Sequence, residues 1–167
     1  DVERSRGLGD VYKRQNLYGI TFSNLYRINT STGAATLIGG GFPVQMNALT
    51  FSSTGVLYGA ATGSNSLLTK NTTTGAATLV GNVGSSSAGD LAFHNGVLYL
   101  SSSTGNLVSI NVSTGAGTII GSLGPAGGSF GLANGDDNVL YAVNGTNIFS
   151  VNTATGLGTL VVGYGGV

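Results

Sequence analysis

A single unit recurs four times along this chain, and that repetition constrains the fold more than any other feature. "NLYGITFSNLYRINTSTGAATLIGG" at 16–40 returns as "GVLYGAATGSNSLLTKNTTTGAATLVGN" at 55–82. It returns again as "GVLYLSSSTGNLVSINVSTGAGTIIGS" at 96–122 and "NVLYAVNGTNIFSVNTATGLGTLVVG" at 138–163. The Leu-Tyr pairs place Tyr18, Tyr58, Tyr99 and Tyr141 at spacings of 40, 41 and 42. The Thr-Gly pairs, at Gly33, Gly75, Gly115 and Gly156, are spaced by 42, 40 and 41.

Each unit reads as short β-strands between turn residues. The first strand is "ALTF" (48–51), "DLAF" (90–93) or "GLAN" (131–134), and a tight turn leads to "VLYG", "VLYL" or "VLYA". A third strand ends at Asn29, Asn71, Asn111 or Asn152, and the Thr-Gly turn follows, with glycine free to take positive φ. The fourth strand is "ATLIG", "ATLVG", "GTIIG" or "GTLVV". Four antiparallel strands in about 40 residues describe one blade of a β-propeller. A flat β-solenoid is the alternative, although its coils usually repeat at about half this period. Blades pack on both faces, so the Leu-Tyr pairs and the Leu, Ile and Val residues of the fourth strand are expected to form interblade core.

With the first strand innermost, the whole blades are 44–82, 87–122 and 128–163, while 16–41 holds strands two to four of an incomplete blade. The expected fold class is therefore all-β: a partial β-propeller spanning 16–167, an open arc of a larger ring. Its two terminal blades should expose apolar faces.

Charge separates the first fifteen residues from the rest. Arg4, Arg6, Lys13 and Arg14 fall there with Asp1, Glu3 and Asp10, leaving only Arg27, Lys70, Asp90, Asp136 and Asp137 beyond. Back-translation accounts for the difference. "SRGLGDVYKRQ" (5–15) is similar, codon for codon, to a translated transposase-based sequencing adapter ending in its transposon mosaic end, and Asp1–Arg4 are compatible with the bases that precede it. The resemblance implies that 1–15 is a non-native segment, expected to be disordered and excluded from fold reasoning. It further implies an internal fragment of a metagenomic sequence, starting near Asn16, with its true termini unseen.

The remaining chain is nearly uncharged and free of cysteine, yet 41% of all residues are hydrophobic, enough for a core. It offers no thiol chemistry and no apolar run of the ~20 residues that a helical membrane span needs. Nucleic-acid binding is not expected, for want of a basic face and aromatic platforms.

"NLYRINTSTGAATLIG" resembles the "LYRID-TG-ATLIG" repeats of exported bacterial propeller-like proteins, many with a C-terminal PEP-CTERM-type sorting signal. The likeness covers 16–167. It implies export, an extracellular or cell-surface location and no known enzymatic activity. The Ser-, Thr-, Asn- and Gly-rich composition agrees with that destination.

Candidate chemistry is sparse. Asp90 opens an innermost strand where the other copies have Ala48 and Gly131, so it either faces the channel as a ligand group or bonds backbone N–H groups. Asp136 and Asp137, in "NGDDN", are weak candidates for calcium against a plain turn. His94, in "FHNG", reads as a solvated turn residue. "NTS", "NTT", "NVS" and "NGT" match the glycosylation pattern at Asn29, Asn71, Asn111 and Asn144, though turn chemistry already explains the three that share a repeat position.

One rim should gather the connections after the second and fourth strands: 41–46, 59–65, 83–89, 101–105, 123–130 and 143–146. There Phe42, Gln45, Met46 and Phe130 are candidate contacts for a glycan or protein ligand. No cofactor and no catalytic residue is expected.

The reading is thus a non-catalytic binding or structural module. Its alternatives are a purely architectural array or a fragment of a propeller hydrolase or lyase whose catalytic residues lie in other blades. Quinoprotein dehydrogenase propellers dock blades through a tryptophan after the turn. This chain has Leu37, Leu79, Ile119 and Leu160 at those positions and no tryptophan, which argues against that family.

Overall fold

The computed structural model describes residues 16–165; the adapter-like segment 1–15 lies outside them. β1 (Leu17–Ile20), β2 (Asn24–Ile28) and β3 (Ala35–Gly40) form a three-stranded antiparallel sheet, blade 1. Three four-stranded antiparallel sheets follow. Blade 2 is β4 (Met46–Phe51), β5 (Leu57–Ala61), β6 (Ser66–Lys70) and β7 (Ala77–Asn82). Blade 3 is β8 (Ser87–His94), β9 (Val97–Ser102), β10 (Asn106–Ile110) and β11 (Gly117–Ser122). Blade 4 is β12 (Gly131–Asn134), β13 (Leu140–Asn144), β14 (Asn147–Val151) and β15 (Gly158–Gly163). A single 3-10 turn at Gly124–Ala126 interrupts the crossing into blade 4. The strands β1, β4, β8 and β12 lie next to one another in that order, so consecutive sheets are consecutive blades of a β-propeller.

The turn after the third strand is built the same way each time. In blade 2 the Asn71 side-chain oxygen accepts the N–H groups of Thr73 and Thr74, both at 2.9 Å, and Gly75 closes the turn at φ +75°. Asn29, Asn111 and Asn152 cap their own turns in the same manner. This Asx geometry gives the asparagines a local role and fixes where the outer strand begins.

The core lies between blades. One cluster joins Tyr58, Ala60 and Leu67 of blade 2 to Leu91, Leu98, Leu100 and Val108 of blade 3. Another joins Tyr99 and Leu107 of blade 3 to Leu132, Leu140, Ala142 and Phe149 of blade 4. The Leu-Tyr pairs are buried in blades 2 and 3, and edge-on ring pairs link Tyr18 to Phe51 and Tyr58 to Phe93 across the seams.

The outer strands correct the sequence expectation. Leu37, Leu79, Ile119 and Leu160 are 57–63% exposed; of the residues that follow them, Val80 and Ile120 pack on the core, while Val161 is itself 55% exposed. Blades radiate from an axis, so the gap between neighbours widens outward and leaves the outermost row uncovered. Every outer strand also carries a bulge at this place: Leu67 pairs with Gly81 and Leu68 with Leu79, skipping Val80. Ile38, Ile120 and Val161 are skipped in the same way. Bulges are a recurrent device for blunting an exposed sheet edge.

Seams also close through glycine. A Cβ on Gly39, Gly81 or Gly121 would overlap the carbonyl of Thr74, Thr114 or Thr155, in the Thr-Gly turn of the following blade. Gly75, Gly115 and Gly156 abut the same three glycines from the other side. Two bare backbones meet at each seam, a contact any side chain would hold apart.

Candidate functional site

An antiparallel blade returns its second-to-third and fourth-to-first connections to one rim, and hydrogen bonds tie them there. Val83 N–H donates to the Asn65 carbonyl and Leu123 N–H to that of Gly105. Thr62 N–H donates to the Gln45 carbonyl, and Gly63 N–H to the Ser86 hydroxyl at 2.9 Å. Asn144 donates its side-chain amide to the Gly127 carbonyl at 2.7 Å. The rim is therefore a connected hydroxyl- and amide-rich surface over blades 2 to 4.

Asp90 stands where β8 meets β12. One carboxylate oxygen accepts the Leu91 N–H at 2.8 Å and the other accepts the Leu132 N–H of blade 4 at 2.9 Å. Burial pushes its pKa up to about 6, against the downward pull of those two N–H groups. With both oxygens on backbone, the group acts as a clip across the blade 3–4 seam.

Phe130 is brought beside it: the Phe130 backbone touches Gly89, and the ring is 71% exposed. Gln45 is exposed on the blade 2 side of the same rim. Asp90 and Phe130 are thus neighbours, while Gln45 belongs to the crossing before blade 2. A shallow apolar cleft of about 490 Å³, lined by Ile20, Thr21, Phe22, Met46 and Asn47, opens between blades 1 and 2. Met46, expected as a rim contact, is instead fully buried, its tip occupying the space that a Cβ on Gly59 would need.

Phe42 is half-buried in the crossing from blade 1 to blade 2, and the Lys70 ammonium sits 2.8 Å from its ring centroid. Lys70 was not anticipated. It occupies the third-strand position held by Ile28, Ile110 and Val151, faces the blade 1–2 seam and is 5% exposed. Among the described residues its Nζ has no hydrogen-bond partner, and burial lowers its pKa to about 8. The ring face supplies the electrostatic partner that the seam lacks. The signal available beforehand was the mismatch itself, a cation in an apolar register.

His94 is not the solvated turn residue expected. It is 8% exposed, with Nδ1 2.6 Å from the Asn134 side-chain oxygen across the seam and Nε2 3.1 Å from the Asn95 amide. Those partners fit a ring that donates from Nδ1 and accepts at Nε2. Asp136 and Asp137 lie on the opposite rim, in the turn before β13. Asp137 accepts the Tyr141 hydroxyl at 2.6 Å and the Val139 N–H at 3.2 Å, and the Tyr141 bond holds its carboxyl below the usual range. Among the described residues, no three His, Asp or Glu side chains converge as a metal site.

The model of a family described as a repeat of unknown function (DUF6923) matches residues 12–162. No curated protein sequence matches the chain. Among solved structures, virginiamycin B lyase from Staphylococcus aureus is 16% identical with a TM-score of 0.59, the match covering 86% of this chain and 53% of the lyase. A nidogen/laminin complex matches with 11% identity and a TM-score of 0.68, over 90% of this chain and 62% of the other. A protein of unknown function from Bacteroides thetaiotaomicron matches with 18% identity and a TM-score of 0.63, over 87% and 40%. The chain spans about half the length of the lyase. At these identities the likeness concerns the fold alone.

Proposed function

The chain belongs to the DUF6923 family of repeats of unknown function, and on that premise we propose that it is a non-catalytic binding module of an exported bacterial surface protein, with the blade 2–4 rim as its contact face. One observation carries this reading. The best-placed carboxylate, Asp90, has both oxygens committed to backbone, while Phe130 beside it stands exposed among hydroxyl and amide groups. An aromatic ring in such a setting suits the apolar face and hydroxyls of a glycan, or an extended peptide.

Export and surface anchoring rest on the composition and on the "LYRID-TG-ATLIG" likeness. In the same reading residues 5–15 are adapter sequence; a long read through the source locus should lack those codons upstream of Asn16, and finding them there would contradict it.

A glycan and peptide array probed with the wild-type chain and with Phe130→Ala tests the function. The reading predicts a saturable hit that weakens roughly tenfold or more in the variant, the loss of one central aromatic contact. Absence of any saturable hit, or a hit untouched by Phe130→Ala and Gln45→Ala together, contradicts it.

A further inference from the structure

The turns after the third strands carry one group that their shape does not need. In each, the asparagine Oδ1 accepts two backbone N–H groups, and the threonine three residues on accepts another. Thr74 Oγ1 takes the Ala76 N–H at 3.3 Å, and Thr32, Thr114 and Thr155 act alike. The residue two after the asparagine contributes its N–H alone. Its exposed hydroxyl, on Ser31, Thr73 and Ser113, has no hydrogen-bond partner among the described residues. The fourth copy shows that the turn forms without it. Ala154 stands in its place, yet its N–H meets Asn152 Oδ1 at 2.9 Å, the Thr155 N–H follows at 3.2 Å, and Gly156 closes the turn at φ +85°. Turn chemistry therefore accounts for the asparagine, the later threonine and the glycine, but not for the middle hydroxyl, and the sequence expectation that it covers all of Asn-x-Ser/Thr is too broad.

We propose that Asn29, Asn71 and Asn111 are acceptor sites for N-linked sugar, one on each of blades 1 to 3. The unexplained hydroxyl is the one that the acceptor pattern requires two residues after the asparagine. All three asparagines are exposed. Two N–H donors fix Oδ1 as the end of each amide that turns to the backbone, and Nδ2, the end that would carry the sugar, has no partner among the described residues. Asn144 has the same pattern in "NGT" and the opposite geometry. It is half-buried, and its Nδ2 donates to the carbonyls of Gly127 at 2.7 Å and Pro125 at 3.4 Å, so that end is occupied. Asn152 has the exposed turn without the hydroxyl. In the transfer, Nδ2 bonds to the anomeric carbon of a nucleotide-activated sugar, the bond from that carbon to phosphate breaks, the nucleoside diphosphate leaves, and Nδ2 gives up one proton. Strand alternation puts these turns on the rim opposite the connections of blades 2 to 4, so the sugars would stand clear of that face.

Incubation of the full chain with UDP-glucose and an asparagine glucosyltransferase, read by intact mass and peptide mapping, tests this with three proteins. Wild type should gain a hexose at each of Asn29, Asn71 and Asn111, and none at Asn144 or Asn152. Ala154→Ser should gain a further hexose at Asn152. Ser31→Ala, Thr73→Ala and Ser113→Ala combined should gain none and should keep the wild-type thermal midpoint, because the Ala154 turn forms without a hydroxyl.

The proposal is overturned if wild type gains no hexose, if Asn144 is modified as readily as the three turn asparagines, or if Ala154→Ser leaves Asn152 bare. A lower thermal midpoint in the combined variant would equally overturn it, by assigning the three hydroxyls to the fold.

Discussion

Leu98 and Ile119 belong to the same blade and are both bulky aliphatics on strands of a tightly repeated unit, yet one is fully buried and the other 60% exposed. Leu98 lies on the second strand, where neighbouring blades are close and Tyr58 and Val108 share its cluster. Ile119 lies on the fourth strand, which the next blade meets at Gly121 and Ile120 while the Ile119 side chain stays in solvent. The difference teaches that in a radial fold apolar character alone does not decide burial; what the neighbouring blade brings against each position does. On the outer strands the seams close where backbones can touch, through glycine pairs, and the side chains of Leu79 and Ile119 on those same strands remain in solvent.

Substitutions can break this contrast directly. Leu98→Ala should cost about 2–5 kcal/mol in equilibrium unfolding, because a filled interblade position becomes a cavity. A loss below 1 kcal/mol would put Leu98 outside the true core.

Asp90→Ala comes next, at about 1–3 kcal/mol, since it leaves the Leu132 N–H without its partner at the seam. The pH dependence has a definite sign. The folded-state pKa of about 6 lies above the unbound value of 3.8, so the folded chain holds this proton more tightly. The stability from that proton is fully present below 3.8 and is lost as the pH rises through about 6. Wild type should therefore lose stability across this window, and Asp90→Ala should lose less. Parallel pH profiles would show that Asp90 titrates as it does in the unfolded chain.

Lys70→Ile restores the residue type of the other copies and should stabilise by about 1 kcal/mol near neutral pH, after the lost ring contact offsets part of the relief. The Lys70 folded-state pKa is depressed to about 8 from 10.5, so its contribution is present above 10.5 and is lost as the pH falls through about 8. Wild-type stability should rise over that interval, and the rise should vanish in Lys70→Ile. If the variant is destabilised instead, the ammonium–Phe42 contact outweighs its burial.

Smallest of all are Ile119→Ala and Phe130→Ala, expected within about 0.5 kcal/mol of wild type because both side chains are largely exposed. A larger loss at Ile119 would mean that the outer row is covered in solution.

Much of the fold was legible because the repeat enforces it. The Leu-Tyr pairs, the Asn-capped turns and the order of strands recur at fixed spacing, and the capped turns rest on local chemistry that one unit contains. What escaped depends on relations between units. His94 reads as a turn residue until blade 4 brings Asn134 to 2.6 Å from it. The fourth-strand aliphatics read as core because period and hydrophobicity carry no information about radius. The glycines that end "ATLIG", "ATLVG" and "GTIIG" read only as the last residues of the fourth strands, and the next blade's carbonyl gives them a steric reason.

The site was legible to a lesser degree. Asp90 stood out as a lone carboxylate, and both of its offered roles were visible. Its placement beside Phe130, and the pairing of Phe42 with Lys70, required contacts between blades.

The glycine seams hold neighbouring blades together, and alanine at Gly81 and Gly121 tests them through the sign of the effect. Glycine to alanine at an unconstrained position normally stabilises by about 0.4–1 kcal/mol, by restricting the unfolded chain. At these two seams the added Cβ meets the Thr114 or Thr155 carbonyl, so chemical denaturation should show a loss of about 1–3 kcal/mol at each. Stabilisation at both positions would mean that the blades do not close through backbone contact, and would contradict the packing described above.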